Sequence, residues 1–325
     1  MRDIGIDLGT TNVLIYVKGK GIILNEPSVV AVDKTTQKVL AVGMEAKEML
    51  GRTPEKVEVI KPLKDGVIAD FDTTEEMLKK FIKKALGRKS LVKPIILICC
   101  PSNITGVEKN AIREIAERMG AKKVYIEEEP KVAAVGTGID ISKPTGSMIV
   151  DIGGGTTDIA VLSLGQIVTS NSVKIAGNSF DQDIIDYVKD KYKIIIGEQT
   201  AEEIKISLGQ LGKEEEKQEI TGRSIESGLP ETKEITNKDI EEAIKSNLKK
   251  ITTAIKNVLE KTPPELCSDI KEKGIILTGG GSLIEGLVEK LRKDLKIPVF
   301  ISDNPLTNVV EGTSFLLDNI NLIDN

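Results

Sequence analysis

Two segments rich in glycine and threonine share one plan and could bind phosphate. Residues 7–12 read DLGTTN and residues 151–158 read DIGGGTTD, and each segment follows one apolar run and precedes another. This pattern predicts a strand, a tight turn and a second strand, occurring twice. Glycine lets backbone N–H groups approach an anion closely, and threonine hydroxyls add donors. Either segment alone would be equally typical of an ordinary glycine-rich hairpin, but two together could grip one polyphosphate from opposite sides.

Each of these segments begins with an aspartate, Asp7 in the first and Asp151 in the second. Their carboxylates stand just before the turns. Mg²⁺ prefers oxygen ligands and usually keeps several of its water molecules. The residue types therefore suit the binding of a magnesium–nucleotide complex.

A third glycine cluster, residues 278–282 (TGGGS), follows the strand-like residues 274–277 and leads into a helical pattern over residues 283–295. A helix that begins there could direct free N–H groups at the nucleotide. The cluster is weak evidence by itself, because a plain connection between a strand and a helix uses the same residue types.

The elements that must position these segments belong to a chain of ordinary globular composition. It has 325 residues, of which 40% are hydrophobic and 29% charged, enough for a large core, and two domains are favoured over one. The 45 basic and 50 acidic residues give a net charge of −5, so nucleic acid is not expected as a partner. Histidine is absent, which excludes imidazole bases, serine–histidine triads and histidine metal sites.

Cysteine usage and apolar runs bear on the cellular compartment. Cys99, Cys100 and Cys267 form no CxxC pair and are expected to be buried free thiols in a reducing cytosol. The N-terminus lacks the apolar core of a signal peptide, and the apolar run near residues 95–100 is far shorter than the roughly 20 residues that span a bilayer. We therefore expect a cytoplasmic protein whose membrane contact, if any, is peripheral.

The three glycine clusters, in this order and spacing, resemble those of the superfamily of actin, DnaK-type chaperones and sugar kinases. Longer strings narrow the resemblance to the MreB family of bacterial actins, over nearly the whole chain. These strings are residues 25–30 (NEPSVV), 62–70 (PLKDGVIAD) and 146–151 (GSMIVD). Residues 97–101 (LICCP) and 127–134 (EEEPKVAA) are similar to the Mbl branch of that family. One departure is Thr11, where many MreB relatives carry alanine.

The resemblance implies an α/β protein with the actin-like ATPase fold. Two duplicated α/β domains, each built on a mixed five-stranded sheet, would flank a nucleotide cleft, and each would carry a small inserted subdomain. The implied division is subdomain IA at residues 1–31 and 71–143, IB at 32–70, IIA at 144–176 and 250–325, and IIB at 177–249. An alternative division assigns the last residues of the chain to subdomain IA instead of IIA.

The resemblance also implies ATP and Mg²⁺ as ligands and assigns roles to residues. The catalytic group would be Glu129, which positions the attacking water, with Asp151 and Thr156; Asp7 and Asp151 would hold Mg²⁺ through water. The nucleotide-binding residues would be Gly9, Thr10, Thr11, Asn12, Gly153, Gly154, Gly155, Thr156, Gly177, Glu202, Glu203, Ile204, Lys205, Gly279, Gly280, Gly281 and Ser282. Glu202 and Lys205, at helical i, i+3 spacing, would be equally typical of a solvated surface pair without the resemblance. Glu129 could likewise belong only to an acidic strand end.

Family membership further implies head-to-tail filaments, attached to the inner face of the cytoplasmic membrane, that organise cell-wall synthesis with elongation proteins and determine rod shape. The membrane contact would be Leu91 and Val92, beside the basic residues Arg88, Lys89 and Lys93. An ordinary exposed loop is an equally good interpretation of this segment. The sequence leaves open whether the chain hydrolyses ATP efficiently or mainly uses ATP binding to assemble.

Three other functions are compatible with the same superfamily. A DnaK-like chaperone ATPase would need a peptide-binding domain, and the stretch after Gly281 is too short for one. A sugar or acetate kinase would transfer phosphate to a small molecule, for which no separate motif is evident. A plasmid-segregating actin would need an adaptor bound to DNA.

Overall fold

The computed structural model describes residues 3–87, 93–102 and 104–323. In chain order the strands are β1 (Ile4–Leu8), β2 (Asn12–Val17), β3 (Gly21–Pro27), β4 (Val30–Asp33), β5 (Val39–Val42), β6 (Val57–Ile60), β7 (Leu63–Lys64), β8 (Val67–Ile68), β9 (Ile95–Cys100), β10 (Lys123–Glu128), β11 (Ser147–Ile152), β12 (Thr157–Ser163), β13 (Gln166–Val173), β14 (Ile194–Ile195), β15 (Lys217–Ser224), β16 (Pro230–Thr236), β17 (Ile275–Thr278) and β18 (Val299–Ile301). The helices are α1 (Met44–Glu48), α2 (Phe71–Leu86), α3 (Gly106–Arg118), α4 (Glu129–Gly136), α5 (Gly177–Tyr192), α6 (Glu198–Leu208), α7 (Asn237–Lys261), α8 (Pro264–Lys273), α9 (Leu287–Leu295) and α10 (Asn308–Asp318). Short 3-10 turns cover Gly280–Leu283 and Ile320–Leu322.

Two five-stranded mixed sheets repeat one topology. The first has the order β10-β9-β1-β2-β3 and the second the order β13-β12-β11-β17-β18. In each sheet the central strand, β1 or β11, pairs antiparallel with the strand that follows it, and it pairs parallel with β9 or β17 on its other side. The predicted duplicated α/β architecture with mixed five-stranded sheets is therefore confirmed, and each glycine–threonine segment forms the turn after a central strand.

Helices cover both faces of each sheet, and the side chains on the two faces belong to different cores. Ile4 and Ile6 of β1 are fully buried and share a core with Phe81 of α2 and Ile115 of α3. A second core joins β11 and β12 to α5, α6 and α7. This pattern of near-continuous apolar strands is typical of sheets that are buried on both faces.

A third core lies between the two sheets and holds the domains together. It combines Leu97 of the first sheet and Ile149 of the second with Ala133 of α4 and Leu316 of α10. Helices α4 and α10 cross at a point where α4 has a glycine, Gly136. A Cβ atom at Gly136 would lie 1.8 Å from the carbonyl oxygen of Asn308, so the two backbones are in direct contact. The C-terminal helix α10 also packs on β1, β2 and β9 of the first sheet.

Two small three-stranded sheets lie largely within the predicted insertions, although β4 begins at Val30, before the predicted start at residue 32. One has the order β5-β4-β6 and packs with α1, and the other has the order β14-β15-β16 and packs with α6. Helices α5 and α7, in the second insertion, share the core of the second large sheet. The exact subdomain boundaries therefore stay a prediction.

Cysteine burial agrees with the sequence-based expectation in part. Cys99 and Cys100 are buried free thiols, and Cys267 is a free thiol that is only half-buried. Across the described ranges, no helix is both long and apolar enough to cross a bilayer. The predicted membrane residues Leu91 and Val92, with Arg88 and Lys89, lie outside the described residues.

Candidate functional site

The two glycine–threonine turns face each other across the gap between the domains. A Cβ atom added to Gly154 would lie 1.8 Å from Oγ1 of Thr11, and one added to Gly155 would lie 2.6 Å from Oγ1 of Thr10. Only glycine fits at either position without displacing the opposite turn. The opposed arrangement expected from the sequence is therefore present in the fold.

Hydrogen bonds fix the shape of the first turn. The hydroxyl of Ser28 donates to the carbonyl oxygen of Gly9 at 2.6 Å, and the N–H of Ser28 donates to the carbonyl oxygen of Thr11 at 2.8 Å. Oγ1 of Thr10 accepts from the N–H of Gly66 at 2.9 Å. The loop that contains Gly66 thus closes over one end of the turn.

The start of α5 fixes the second turn. The carbonyl oxygens of Gly153 and Gly154 accept from the N–H groups of Gly177 and Asn178 at 3.1 and 2.8 Å. Because α5 engages these carbonyl groups, the turn can present N–H groups to an anion. Gly177 was predicted from the family resemblance to contact the ligand, and Asn178, which was not predicted, stands beside it.

A cavity of about 480 Å³ lies between the domains, and both turns line it. Most of the predicted site residues are in its wall. They are Asp7, Gly9, Thr10, Thr11, Asn12, Glu129, Asp151, Gly153, Gly154, Gly155, Thr156, Gly177, Glu202, Lys205, Gly279, Gly280 and Gly281.

Three predicted ligand contacts are not in that wall. Ile204 is buried in the core of the second domain and Glu203 is exposed, because the helical rotation that turns Glu202 and Lys205 to the cavity turns their neighbours elsewhere. The hydroxyl of Ser282 donates to the carbonyl oxygen of Gly279 at 2.6 Å and closes a turn. The predicted contacts of these three residues with the ligand stay predictions.

Glu202 and Lys205 bind different partners, which argues against a solvated surface pair. Nζ of Lys205 lies 2.7 Å from Oδ1 of Asp181 and donates to the carbonyl oxygen of Gly177 at 3.1 Å. Oε2 of Glu202 lies 2.6 Å from Nζ of Lys47, which belongs to α1, between β5 and β6 of the first small sheet. Helix α6 therefore contacts the cavity, α5 and the other domain at once.

Four buried carboxyl groups cluster beside the two turns. Burial raises the pKa of Asp7 to about 7. Burial also raises the pKa of Glu129 and Asp151 well above their ordinary values, and the nearby charge of Asp158 adds to both shifts. A bound cation would relieve this cost by favouring the ionised carboxylates. Among the described residues, no group of three or more acidic or cysteine side chains is placed to hold a metal ion.

Comparison with known proteins assigns the family. The sequence model of the MreB/Mbl protein family matches residues 1–325, the whole chain. The chain belongs to the MreB/Mbl family.

Similar proteins support both the MreB/Mbl family and its Mbl branch. The cell shape-determining protein Mbl of Bacillus cereus is 59% identical over 98% of this chain and 96% of its own length. The cell shape-determining protein MreB of Escherichia coli is 47% identical over 99% of this chain and 94% of its own length. The predicted similarity to the Mbl branch is thus confirmed by the higher identity.

Solved structures confirm the actin-like fold of this MreB/Mbl protein. MreB5 of Spiroplasma citri bound to ADP superposes with a TM-score of 0.94 at 42% identity, covering 98% of this chain and 96% of that one. A second structure of MreB5, bound to AMPPNP, gives the same values. The MamK double helical filament superposes with a TM-score of 0.83 at 21% identity over 97% of this chain and 98% of that one, a likeness of fold alone.

The apolar end of the cavity escaped the sequence analysis. We use this name for five apolar residues of the cavity wall: Ile206, Leu283, Ile284, Leu306 and Val309. Ile206 is 76% exposed, Leu306 58% and Leu283 52%, values that are unusual for large apolar residues. Such an end suits a flat aromatic ring. The only sequence signal was an apolar pair directly after the third glycine cluster.

The pH dependence of stability offers a test of the carboxyl cluster in this MreB/Mbl protein. Because the pKa of Asp7 rises from 3.8 to about 7 on folding, the folded state holds its proton more tightly than the unfolded state between these values. In EDTA without nucleotide, stability should therefore fall as pH rises from about 4 to about 7, by up to about 4 kcal/mol for this group. Thermal denaturation of wild type and Asp7→Asn would measure the slope.

Asp7→Asn should make that pH dependence shallower, since asparagine has no proton to lose, while Glu129 and Asp151, whose pKa values are also raised, still titrate. Asp303→Asn, on an exposed residue, is the control and should keep the wild-type slope. Equal slopes for wild type and Asp7→Asn would contradict the assignment.

Proposed function

We propose that this chain binds Mg²⁺-ATP between its domains and uses it to assemble head-to-tail filaments on the inner face of the cytoplasmic membrane, where they organise cell-wall synthesis and rod shape. The observation that carries the proposal is the contact of two glycine–threonine turns beside buried carboxyl groups, at the wall of one cavity of about 480 Å³. The nucleotide-bound MreB5 structures and the relatives named for cell shape support it.

The proposed nucleotide lies along the cavity. Its phosphates would sit between the turn at Gly9–Asn12 and the turn at Gly153–Thr156, whose N–H groups and hydroxyls suit an anion. The base would lie at the apolar end, against Leu283 and Leu306. Glu202 and Lys205 would face the ribose between these ends.

The carboxyl groups have separate proposed roles. Asp7 and Asp151 would hold Mg²⁺ through water, and the ion would neutralise charge on the phosphates. The positive charge of the ion would lower the pKa of Glu129 and so offset the rise caused by burial. Glu129 could then ionise. As a carboxylate it can orient the attacking water and accept its proton, with Thr156 beside it.

The two small sheets are the proposed cores of the inserted subdomains, β5-β4-β6 for IB and β14-β15-β16 for IIB, with the boundaries given from the sequence. Lys47 of the first region contacts Glu202 of the second at 2.6 Å. The side-chain amide of Gln199 also donates to the carbonyl oxygen of Lys47 at 2.6 Å. These contacts support a cleft that closes over the phosphate end.

The membrane contact is proposed on the family resemblance alone. Leu91 and Val92 would each contribute roughly 1.5–3 kcal/mol if fully buried in lipid, so a single subunit would bind weakly. A filament presents many copies, and their combined binding would be firm.

Sedimentation and electron microscopy test the proposal. We expect filaments that pellet only with ATP and Mg²⁺, and filaments on lipid monolayers for wild type. The double variant Leu91→Ser/Val92→Ser should keep the filaments and lose lipid attachment. A protein that stays monomeric at high concentration with ATP and Mg²⁺ would refute the filament, and phosphate transfer to a small molecule would favour a kinase instead.

A further inference from the structure

A buried ion pair brackets Glu129 in the chain. Nζ of Lys131 lies 3.1 Å from Oε2 of Glu127, and the two side chains are only 3% and 4% exposed. Glu127 belongs to the end of β10, and Lys131 belongs to the first turn of α4. The pair therefore spans the junction at which the strand ends and the helix that begins with Glu129 starts.

Stability alone is a poor reason for such a pair. Taking two charges out of water costs several kcal/mol per ion, and apolar residues of similar volume are often at least as stabilising. The surroundings here are apolar, since Val132 and Ala133 of the same helix are fully buried in the core between the sheets. What a buried pair supplies is a defined geometry, because the two charged groups must meet.

Helix α4 is held against α10 by direct backbone contact, since a Cβ atom at Gly312 would lie 2.0 Å from the carbonyl oxygen of Val132. Its first turn must also be oriented against β10. Glu128 is the N-cap residue, and its side chain makes no capping hydrogen bond. Pro130 restricts the backbone of the first turn but leaves open how that turn is tilted against β10. The contact between Lys131 and Glu127 ties the first turn to the strand and so limits that tilt.

The Lys131 side chain acts on Glu129 through the position of the backbone rather than through its charge. Its ammonium group meets the carboxylate of Glu127, so the positive charge is largely compensated there. The neighbouring charges that raise the pKa of Glu129 are those of Asp158, Asp7 and Asp151, which belong to other elements. The pair can therefore influence Glu129 mainly through where it places the backbone.

We propose that Glu127 and Lys131 are positioning residues that hold the start of α4, and with it the carboxyl group of Glu129, in the geometry needed for ATP hydrolysis. The inference rests on the proposed ATPase function. A displacement of about 1 Å in a catalytic group can reduce a rate by about 100-fold, whereas ATP binding depends on the two turns and the cavity wall. Loosening the pair should thus lower turnover and spare affinity.

The decisive variant is the neutral pair Glu127→Gln/Lys131→Met, which leaves no unpaired buried charge. We expect ATP turnover to fall at least about 10-fold while the Kd for ATP stays within about two-fold of wild type. The matched control is Lys290→Met/Asp294→Asn, which removes an i, i+4 pair at 3.0 Å in α9 that is 35% and 32% exposed. The control should match wild type in both measurements.

A second comparison tests whether the pair acts through Glu129. In a Glu129→Gln background, neutralising the pair should reduce the residual turnover little further, because residues that act as one unit are not additive. A separate 10-fold loss in that background would overturn the proposal, as would a folded neutral pair with wild-type turnover or with affinity lost in parallel.

If the neutral pair does not fold, Lys131→Arg takes its place, since it keeps the charge and changes the length and shape of the contact. We then expect turnover to fall at least about three-fold with unchanged affinity, and wild-type turnover would overturn the proposal. Failure of the proposed function is distinguishable, because wild type itself would then neither bind nor hydrolyse ATP.

Discussion

Glu129→Gln is expected to lower the rate of ATP hydrolysis by at least about 100-fold while ATP binding is kept. A positioned proton acceptor typically contributes 10²–10⁴-fold, roughly the loss when it becomes an amide. Glutamine has the same size, so the packing at the start of α4 should be unchanged. It also removes a carboxyl group whose pKa burial and neighbouring charges raise, so affinity for ATP should not fall. Phosphate release and equilibrium titration of ATP measure the two quantities separately.

Glu128→Gln is the matched control for this prediction. Glu128 is the neighbouring acid and the N-cap residue of α4, but it is not among the residues of the cavity wall. Its turnover should stay within about three-fold of wild type. A Glu129→Gln variant that hydrolyses ATP as fast as this control would refute the role of Glu129.

Gly154→Ala is expected to weaken ATP binding by at least about 100-fold, or about 2.7 kcal/mol. The added Cβ atom would lie 1.8 Å from Oγ1 and 2.7 Å from Cβ of Thr11. Rotation of the Thr11 side chain cannot relieve the contact between the two Cβ atoms, so the turns must move apart. Phosphate groups held from both sides would then lose part of their hydrogen bonds. Calorimetric titration with ATP and Mg²⁺ measures the effect.

Gly106→Ala provides the matched control, since a Cβ atom there meets no atom within 4 Å and the residue begins α3, away from the cavity. It should bind ATP like wild type. Adding Thr11→Gly to Gly154→Ala removes the clashing atoms and should recover part of the affinity. Wild-type affinity in Gly154→Ala itself would mean that the two turns do not act on the same ligand.

These two variants separate binding from chemistry. Glu129→Gln should bind ATP and fail to hydrolyse it, whereas Gly154→Ala should lose both properties. Filament assays on the pair would also show whether assembly requires only bound ATP or its hydrolysis, a question that the sequence leaves open. Filaments with Glu129→Gln and none with Gly154→Ala would assign assembly to binding.

The sequence alone was sufficient for features that depend on local chemistry. The glycine and threonine residues beside apolar runs were sufficient to predict the duplicated strand, turn and strand units, and the resemblance to the MreB family implied the actin-like architecture. Asp7 and Asp151 could be named because they stand directly before the turns, whereas Glu129 was named from the family resemblance.

Only the tertiary structure decided features that depend on residues far apart in the chain. Leu283 and Ile206 meet at the apolar end of the cavity because the end of α6 contacts the turn after β17, and Leu306 joins them from the loop after β18. No spacing in the sequence indicates that meeting. Lys205 lines the cavity and its neighbour Ile204 lies in the core, because packing decides which face of α6 meets the core. The buried contact of Lys131 with Glu127 could equally have been a solvated i, i+4 pair, since burial is set by the packing of α4 between two sheets. Local propensity fixes what a segment can form, and long-range packing fixes which of its side chains meet water, a ligand or each other.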